Sequence, residues 1–153
     1  MVNIREMKPE DLIQVTAIEN RTFTQPWSKQ GFLQAISMPE NHYVVAESEG
    51  KIVGYCGYYG TLEEGEITNV AVDEDARNRG IAYEMVGQLL KVAQQQGILR
   101  MVLEVRLSNL PAIHVYRKLG FTELGVRKNF YEMPTEDALI MECTLESGKE
   151  KTC

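Results

Sequence analysis

Histidine and cysteine are scarce, with two of the first and three of the second in 153 residues. His42 and His114 stand apart from other ligand types, and Cys56, Cys143 and Cys153 show no paired metal spacing, so no metal is assigned. Three thiols cannot all pair internally, and reduced cysteines in a cytoplasmic protein are the economical expectation. Cys56, between Tyr55 and Gly57, has no neighbouring base and reads as a buried structural thiol rather than an acyl carrier. Positive charge is also short: 16 Lys and Arg against 22 Asp and Glu leave a net charge of −6. That balance argues against a general nucleic-acid binder and suits a basic peptide or amine partner. Long apolar runs are missing, including the apolar core of a signal peptide in MVNIREMKPEDL, so the expectation is a soluble cytoplasmic protein without a membrane partner. Repeats, low-complexity segments and linkers are missing too. A single domain over residues 1–145 with a charged, frayed tail over 146–153 follows, with no oligomeric state assigned.

What is present alternates between strand and helix patterns. Val2–Met7 reads as a strand, and Pro9-Glu10-Asp11 starts a helix with Leu12, Val15 and Ile18 on one stripe, to about Asn20. Ser28 caps a short second helix carrying Phe32, Leu33 and Ile36. Strands are expected over His42–Glu47, Lys51–Tyr59, Glu66–Val72, Arg100–Leu107, Phe121–Lys128 and Ala138–Leu145. A long amphipathic helix runs from Gly80 to Gly97, and a shorter one spans Leu110–Leu119. The strand–helix–strand unit Glu66–Leu107 requires a parallel pair, whereas the hairpins elsewhere are antiparallel. The fold class is therefore α+β: one mixed, mostly antiparallel sheet with helices on both faces.

The most informative stretch is EITNVAVDEDARNRGIA, Glu66–Ala82. A strand feeds a helix through an arginine-and-glycine loop, and the unpaired N–H groups of a helix start make an anion site. Gly80 permits close backbone approach, small Ala82 keeps the second turn open, and Arg77 and Arg79 add forked donors suited to phosphate. The loop lacks both the Gly-Lys-Ser/Thr of a Walker motif and the three glycines of a dinucleotide fingerprint. A second constellation is Leu103-Glu104-Val105-Arg106-Leu107-Ser108-Asn109, then Ala112-Ile113-His114-Val115-Tyr116 and Leu119-Gly120-Phe121. Alternation puts Met101, Leu103, Val105 and Leu107 on one face and Glu104 on the other. By the residues alone, Glu104 reads first as a surface strand carboxylate paired with a cross-strand cation, Tyr116 as a core aromatic and Asn109 as an N-cap.

Arg-x-x-Gly-x-Ala behind Asn-Val-Ala-Val resembles the pyrophosphate loop of the GCN5-related N-acetyltransferases. Leu-Glu-Val-Arg-x-Ser-Asn with Ala-Ile-x-x-Tyr and Leu-Gly-Phe is similar to the RimI branch of that superfamily. So are Pro26-Trp27-Ser28 with Phe32, Arg127-Lys128-Asn129-Phe130-Tyr131, and Glu136-Asp137-Ala138 with Met141. The resemblance covers nearly the whole chain in order. It implies acetyl-coenzyme A as co-substrate, held by Val70, Ala71, Val72, Arg77, Asn78, Arg79, Gly80, Ile81, Ala82, Tyr83 and Asn109. It implies Glu104 as general base and Tyr116 as general acid. The implied acceptor is the N-terminal alanine of small-subunit ribosomal protein eighteen, with Trp27, Asn129 and Tyr131 along the peptide. Ala82 departs from the more usual glycine, and Phe130 replaces a tyrosine, which bears on peptide selectivity. The alternatives are transfer to lysine side chains or small amines on the same fold, and a non-catalytic coenzyme-A-binding module.

The chemistry suits these residue types. An attacking amine must lose a proton and a departing thiolate benefits from gaining one, tasks for a carboxylate and a phenol. Strand amides near Val70–Val72 are candidates for holding a carbonyl oxygen that becomes negative.

Overall fold

The computed structural model describes residues 2–146. Strand β1 (Asn3–Glu6) leads through a 3-10 turn, Pro9–Asp11, into helix α1 (Leu12–Thr22). Ser28 caps α2 (Lys29–Ile36), its Oγ accepting the Gly31 N–H at 3.0 Å. Strands β2 (His42–Ser48), β3 (Lys51–Thr61) and β4 (Glu64–Val72) follow, then a second 3-10 turn, Glu74–Ala76, and helix α3 (Ile81–Gln95). The chain continues as β5 (Arg100–Arg106), α4 (Leu110–Lys118), β6 (Thr122–Tyr131) and β7 (Glu136–Thr144).

The seven strands form one sheet in the order β1-β2-β3-β4-β5-β7-β6, parallel at β4–β5 and antiparallel at the other pairs. This is the expected α+β sheet. The central strands are covered on both faces, so β2 reads as a continuous run whose members part by alternation. Val44 and Ala46 join the core beneath α3 and α4, whereas Tyr43 and Val45 join the core beneath α1 and α2. The buried stripe of α3 is Ile81, Met85, Val86, Leu89, Leu90 and Ala93. Each fully enclosed apolar side chain there contributes about 1.5–3 kcal/mol. Gly57 makes room for a ring: a Cβ at that position would stand 2.0 Å from Tyr43.

Several boundaries differ from expectation by one to three residues, among them the end of β3 at Thr61 and the start of β7 at Glu136, and two of the differences have a visible backbone cause. Strand β4 starts at Glu64, two residues early, because Leu62 takes a left-handed φ of 54° and the β3–β4 turn is short. Strand β6 runs past Lys128 to Tyr131 because a register shift absorbs Asn129. That residue sits at φ 54° with its N–H on the Asp137 carboxylate at 2.8 Å, and pairing resumes at Tyr131↔Glu136. Beyond Glu146, the charged tail expected from the sequence, Cys153 included, lies outside the described residues. Among those residues no helix is long and apolar enough to cross a membrane.

Candidate active site

Strands β4 and β5 pair only from Glu64↔Arg100 to Ile67↔Leu103. Both then continue without meeting. The β3–β4 register jumps from Tyr58↔Ile67 to Gly57↔Asn69, so Thr68 is an extra residue in β4. Such a bulge bends and twists its strand, which accounts for the parting. The Asp73 N–H bonds the Val53 carbonyl of β3 at 2.8 Å. Main-chain groups alternate along a strand, so Ala71 also faces β3, whereas Val70 and Val72 direct theirs into the gap. Of the three expected strand residues, Ala71 is thus turned away, its side chain packed in the core beneath α1 and α2.

Glu104 and Tyr116 approach this gap from opposite faces. Leu103 and Val105 point into the core under α3 and α4, so Glu104 between them projects from the other face, its side chain 18% exposed. Its Oε2 accepts a hydrogen bond from Arg127 Nη1 at 2.7 Å. Beside it lies Glu66, a residue the sequence reading did not select. Partial desolvation of the Glu66 carboxyl, then the neighbouring Glu104 charge, raise its pKa, and Arg127 offsets part of the rise. Tyr116 is buried on α4, its ring 5.8 Å from that of Phe121. Burial raises its pKa well above the usual tyrosine value, with smaller contributions from Cys56 and Tyr131. Cys56 pairs with Val70, which places the phenol near the gap. The enclosed side-chain polar atoms without partners, among the described residues, are Tyr58 Oη and Asn69 Oδ1. Tyr116 Oη is not one of them, and no group of the described residues bonds it. The hydroxyl therefore reaches open space.

The arginine-and-glycine loop is a run of unusual backbone. Asn78 has φ 65° and Gly80 φ 74°, and Gly80 is the N-cap of α3 with no side chain satisfying the helix start. A Cβ added at Gly80 would meet nothing within 4 Å, so open space lies before the Ile81, Ala82 and Tyr83 amides. Arg77 folds back, Nε donating to the Val72 carbonyl at 3.1 Å, and Arg79 Nη2 reaches the Asp75 carbonyl at 3.4 Å. The Ile81 side chain is core, whereas the exposed Tyr83 ring has Lys118 Nζ 5.1 Å from its centroid. Asn109 caps α4, its Oδ1 accepting from the Ala112 N–H at 3.3 Å.

Two walls flank the Glu104 side. Gln25 Nε2 bonds Glu132 Oε2 at 3.5 Å, joining the α1–α2 segment to the β6–β7 loop. Half-buried Trp27 packs among Phe32, Tyr43 and Tyr59, with centroids 5.1, 6.3 and 6.0 Å away. The Trp27 backbone N–H donates to buried Glu19, which also accepts from the Tyr55 hydroxyl and the Asn69 side-chain amide. Glu19 so ties the loop to β3 and β4. Tyr131 lies under the Arg106 guanidinium at 4.5 Å, and burial, with Glu104 the next cause, pushes its pKa up to about 12. The structure therefore gathers Glu104, Tyr116, Tyr131, Val70 and Val72 about one opening. Asn129 is engaged by its backbone in the β6 bulge, and Trp27 stands in an aromatic cluster on the flanking wall. Among the described residues no three His, Cys, Asp or Glu converge as a metal would require.

Known proteins are similar to this chain in sequence and fold. The model of the acetyltransferase (GNAT) family matches residues 12–121. A Bacillus subtilis protein with the provisional name of a ribosomal protein bS18-alanine N-acetyltransferase is 36% identical, over 93% of this chain and 95% of its own. An Escherichia coli protein named for the same activity is 32% identical, over 92% and 96%. The crystal structure of the ribosomal-protein-S18-alanine N-acetyltransferase from Escherichia coli superposes with a TM-score of 0.88 at 30% identity, covering 97% of both chains. A matched family model over most of the chain, near-full-length relatives and a common fold agree: the chain belongs to the GNAT family of acetyltransferases.

Proposed function

We propose that this acetyltransferase carries acetyl from acetyl-coenzyme A directly to the α-amine of the N-terminal alanine of ribosomal protein bS18. The observation that carries the reading is the parting of β4 and β5, with Glu104 on one face and Tyr116 reaching from the other. The names of the relatives supply the acceptor.

The residues present fit the co-substrate. Unpaired amides at Ile81–Tyr83, the left-handed Asn78 and Gly80, and Arg77 and Arg79 make a cradle for a pyrophosphate. Acetyl-coenzyme A supplies an activated thioester. Val70 and Val72 present main-chain N–H groups to the gap, where a carbonyl oxygen gaining negative charge is best held. Glu104 takes the proton of the amine, directly or through water, and Tyr116 offers its O–H to the leaving sulfur. Both substrates held together gain the advantage of proximity. An α-amine, with a reference pKa of about 7.7–8.0 against about 10.4 for lysine, is within reach of a carboxylate base near neutrality. Trp27, Asn129 and Tyr131 line the approach between the α1–α2 segment and the β6–β7 loop. Asn109 orients α4, and with it Tyr116.

A panel of short peptides differing at residue one, with N-terminally blocked lysine controls, tests the assignment. Mass spectrometry should place the acetyl group on the α-amine and favour alanine-starting peptides. Transfer confined to lysine side chains would remove the N-terminal acceptor.

A further inference from the structure

Ile67 and Leu103 pair across β4 and β5 and both point into the core under α3 and α4, so Glu66 and Glu104, each one residue away, share the opposite face. Two adjacent carboxylates cannot both stay ionised cheaply, and an unaided pair stores a proton between them. A base burdened in this way would have to shed that proton before receiving one from an amine. A cation bonds Glu104, at 2.7 Å, and it is Arg127.

The surrounding charges are committed elsewhere. Arg106, two residues along β5, donates to the Pro134 and Glu132 carbonyls and to Glu136. Arg100 pairs with Glu142 on β7 and Glu64 on β4. Behind the site, Glu19 of α1 is held by Tyr55, Asn69 and the Trp27 N–H. From β6 come Arg127 itself and Tyr131, whose phenol stays protonated up to about 12. Arg127 has another place to rest, since its guanidinium carbon lies 4.6 Å from the centre of the Phe130 ring. Its side chain is 56% exposed, so its ion pair holds weakly and yields readily.

We propose that Arg127 is a positioning residue of the acceptor site, the resident counter-cation of the Glu66–Glu104 pair, which holds the Glu104 side chain in the opening and gives way when the cationic peptide N-terminus arrives. One cation replaces another at the same oxygen. In the empty site Arg127 offsets part of the pair's pull on a proton. The inference rests on Glu104 as the base.

The test is the pH dependence of kcat/KM on an alanine-starting peptide. The rate falls below the amine's own pKa and steepens again where the Glu66–Glu104 pair takes up its first proton, and this second break is the reading. In Arg127→Gln the break should move up by about one pH unit. Adding Glu66→Gln should bring it back, and Arg127→Lys should leave it near the parent's. Arg127 is exposed enough for all three to fold, which melting curves verify. An unmoved break in Arg127→Gln, with Glu104→Gln inactive, overturns the role given to Arg127. Full activity in Glu104→Gln overturns the base itself.

Discussion

Removing one oxygen from Tyr116 separates packing from chemistry. In Tyr116→Phe the ring keeps its burial and its contact with Phe121. No protein acceptor loses a bond, so stability should change by no more than about 0.5 kcal/mol. The loss appears only when sulfur departs. Reference values of about 10 for a phenol and about 8.5 for a thiol make full proton transfer uphill by about 2 kcal/mol. Burial raises Tyr116 further. The hydroxyl then acts mainly through a hydrogen bond to growing negative charge, worth about 1.5–3 kcal/mol, or about 10–150-fold in kcat. Thiol release at saturating substrates measures the rate, while calorimetric titration should return an unchanged acetyl-coenzyme A affinity. Because Tyr116 holds its proton far above neutrality, the parent's activity should show no alkaline limb that this substitution removes. An unchanged kcat in the folded variant, or the disappearance of such a limb near pH 8, would refute the reasoning.

Gly80→Val meets open space in the protein itself and costs the fold about 1–2 kcal/mol for the left-handed backbone. Its branched side chain should obstruct the anion cradle and weaken acetyl-coenzyme A binding by about tenfold or more, read by calorimetry. Asp11→Ala should destabilise by about 2–3 kcal/mol in urea titration, since Asp11 accepts two bonds from Arg5 at 2.8 and 2.9 Å and the Lys8 N–H at 2.8 Å. Arg5, the largest cause, lowers the Asp11 pKa, so the folded state binds that proton less readily than the unfolded state. The stabilisation is complete above the unfolded value of about 3.9 and is lost as pH falls through the lower folded value. The gap between parent and variant should therefore hold at neutral pH and close only in acid.

Periodicity carried the helices and most strand positions. Alternation along β5 was enough to set Glu104 opposite Leu103 and Val105, and the chain order was enough to make β4 and β5 parallel. The extra residue at Thr68 left no mark, because no Gly or Pro accompanies it and a bulge exists only in relation to the partner strand. The same holds for the direction of Ala71 and for the meeting of Glu66 with Glu104, which depend on a register shared by two distant segments. Glu19 was legible in principle. It follows Val15 by four residues, on the stripe of α1 that also carries Leu12, so a helical wheel turns it inward. Arg127 stood in a quoted motif, but its reach to Glu104 crosses from β6 over β7 to β5, and only the folded sheet defines that.

An unpaired strand edge is ordinarily a hazard, because its free N–H and C=O groups can template pairing with another chain. The bulge at Thr68 creates such an edge in the middle of a sheet rather than at its rim. Val70, and Val72 through its N–H, present free main-chain groups there, yet a foreign strand would have to enter a slit whose lower end is closed by the four β4–β5 rungs. A slender chain bearing its own amides fits where a β-strand with side chains on both faces does not. The same groups that would make the protein sticky on its outside are thereby reserved, by access alone, for a ligand of narrow cross-section.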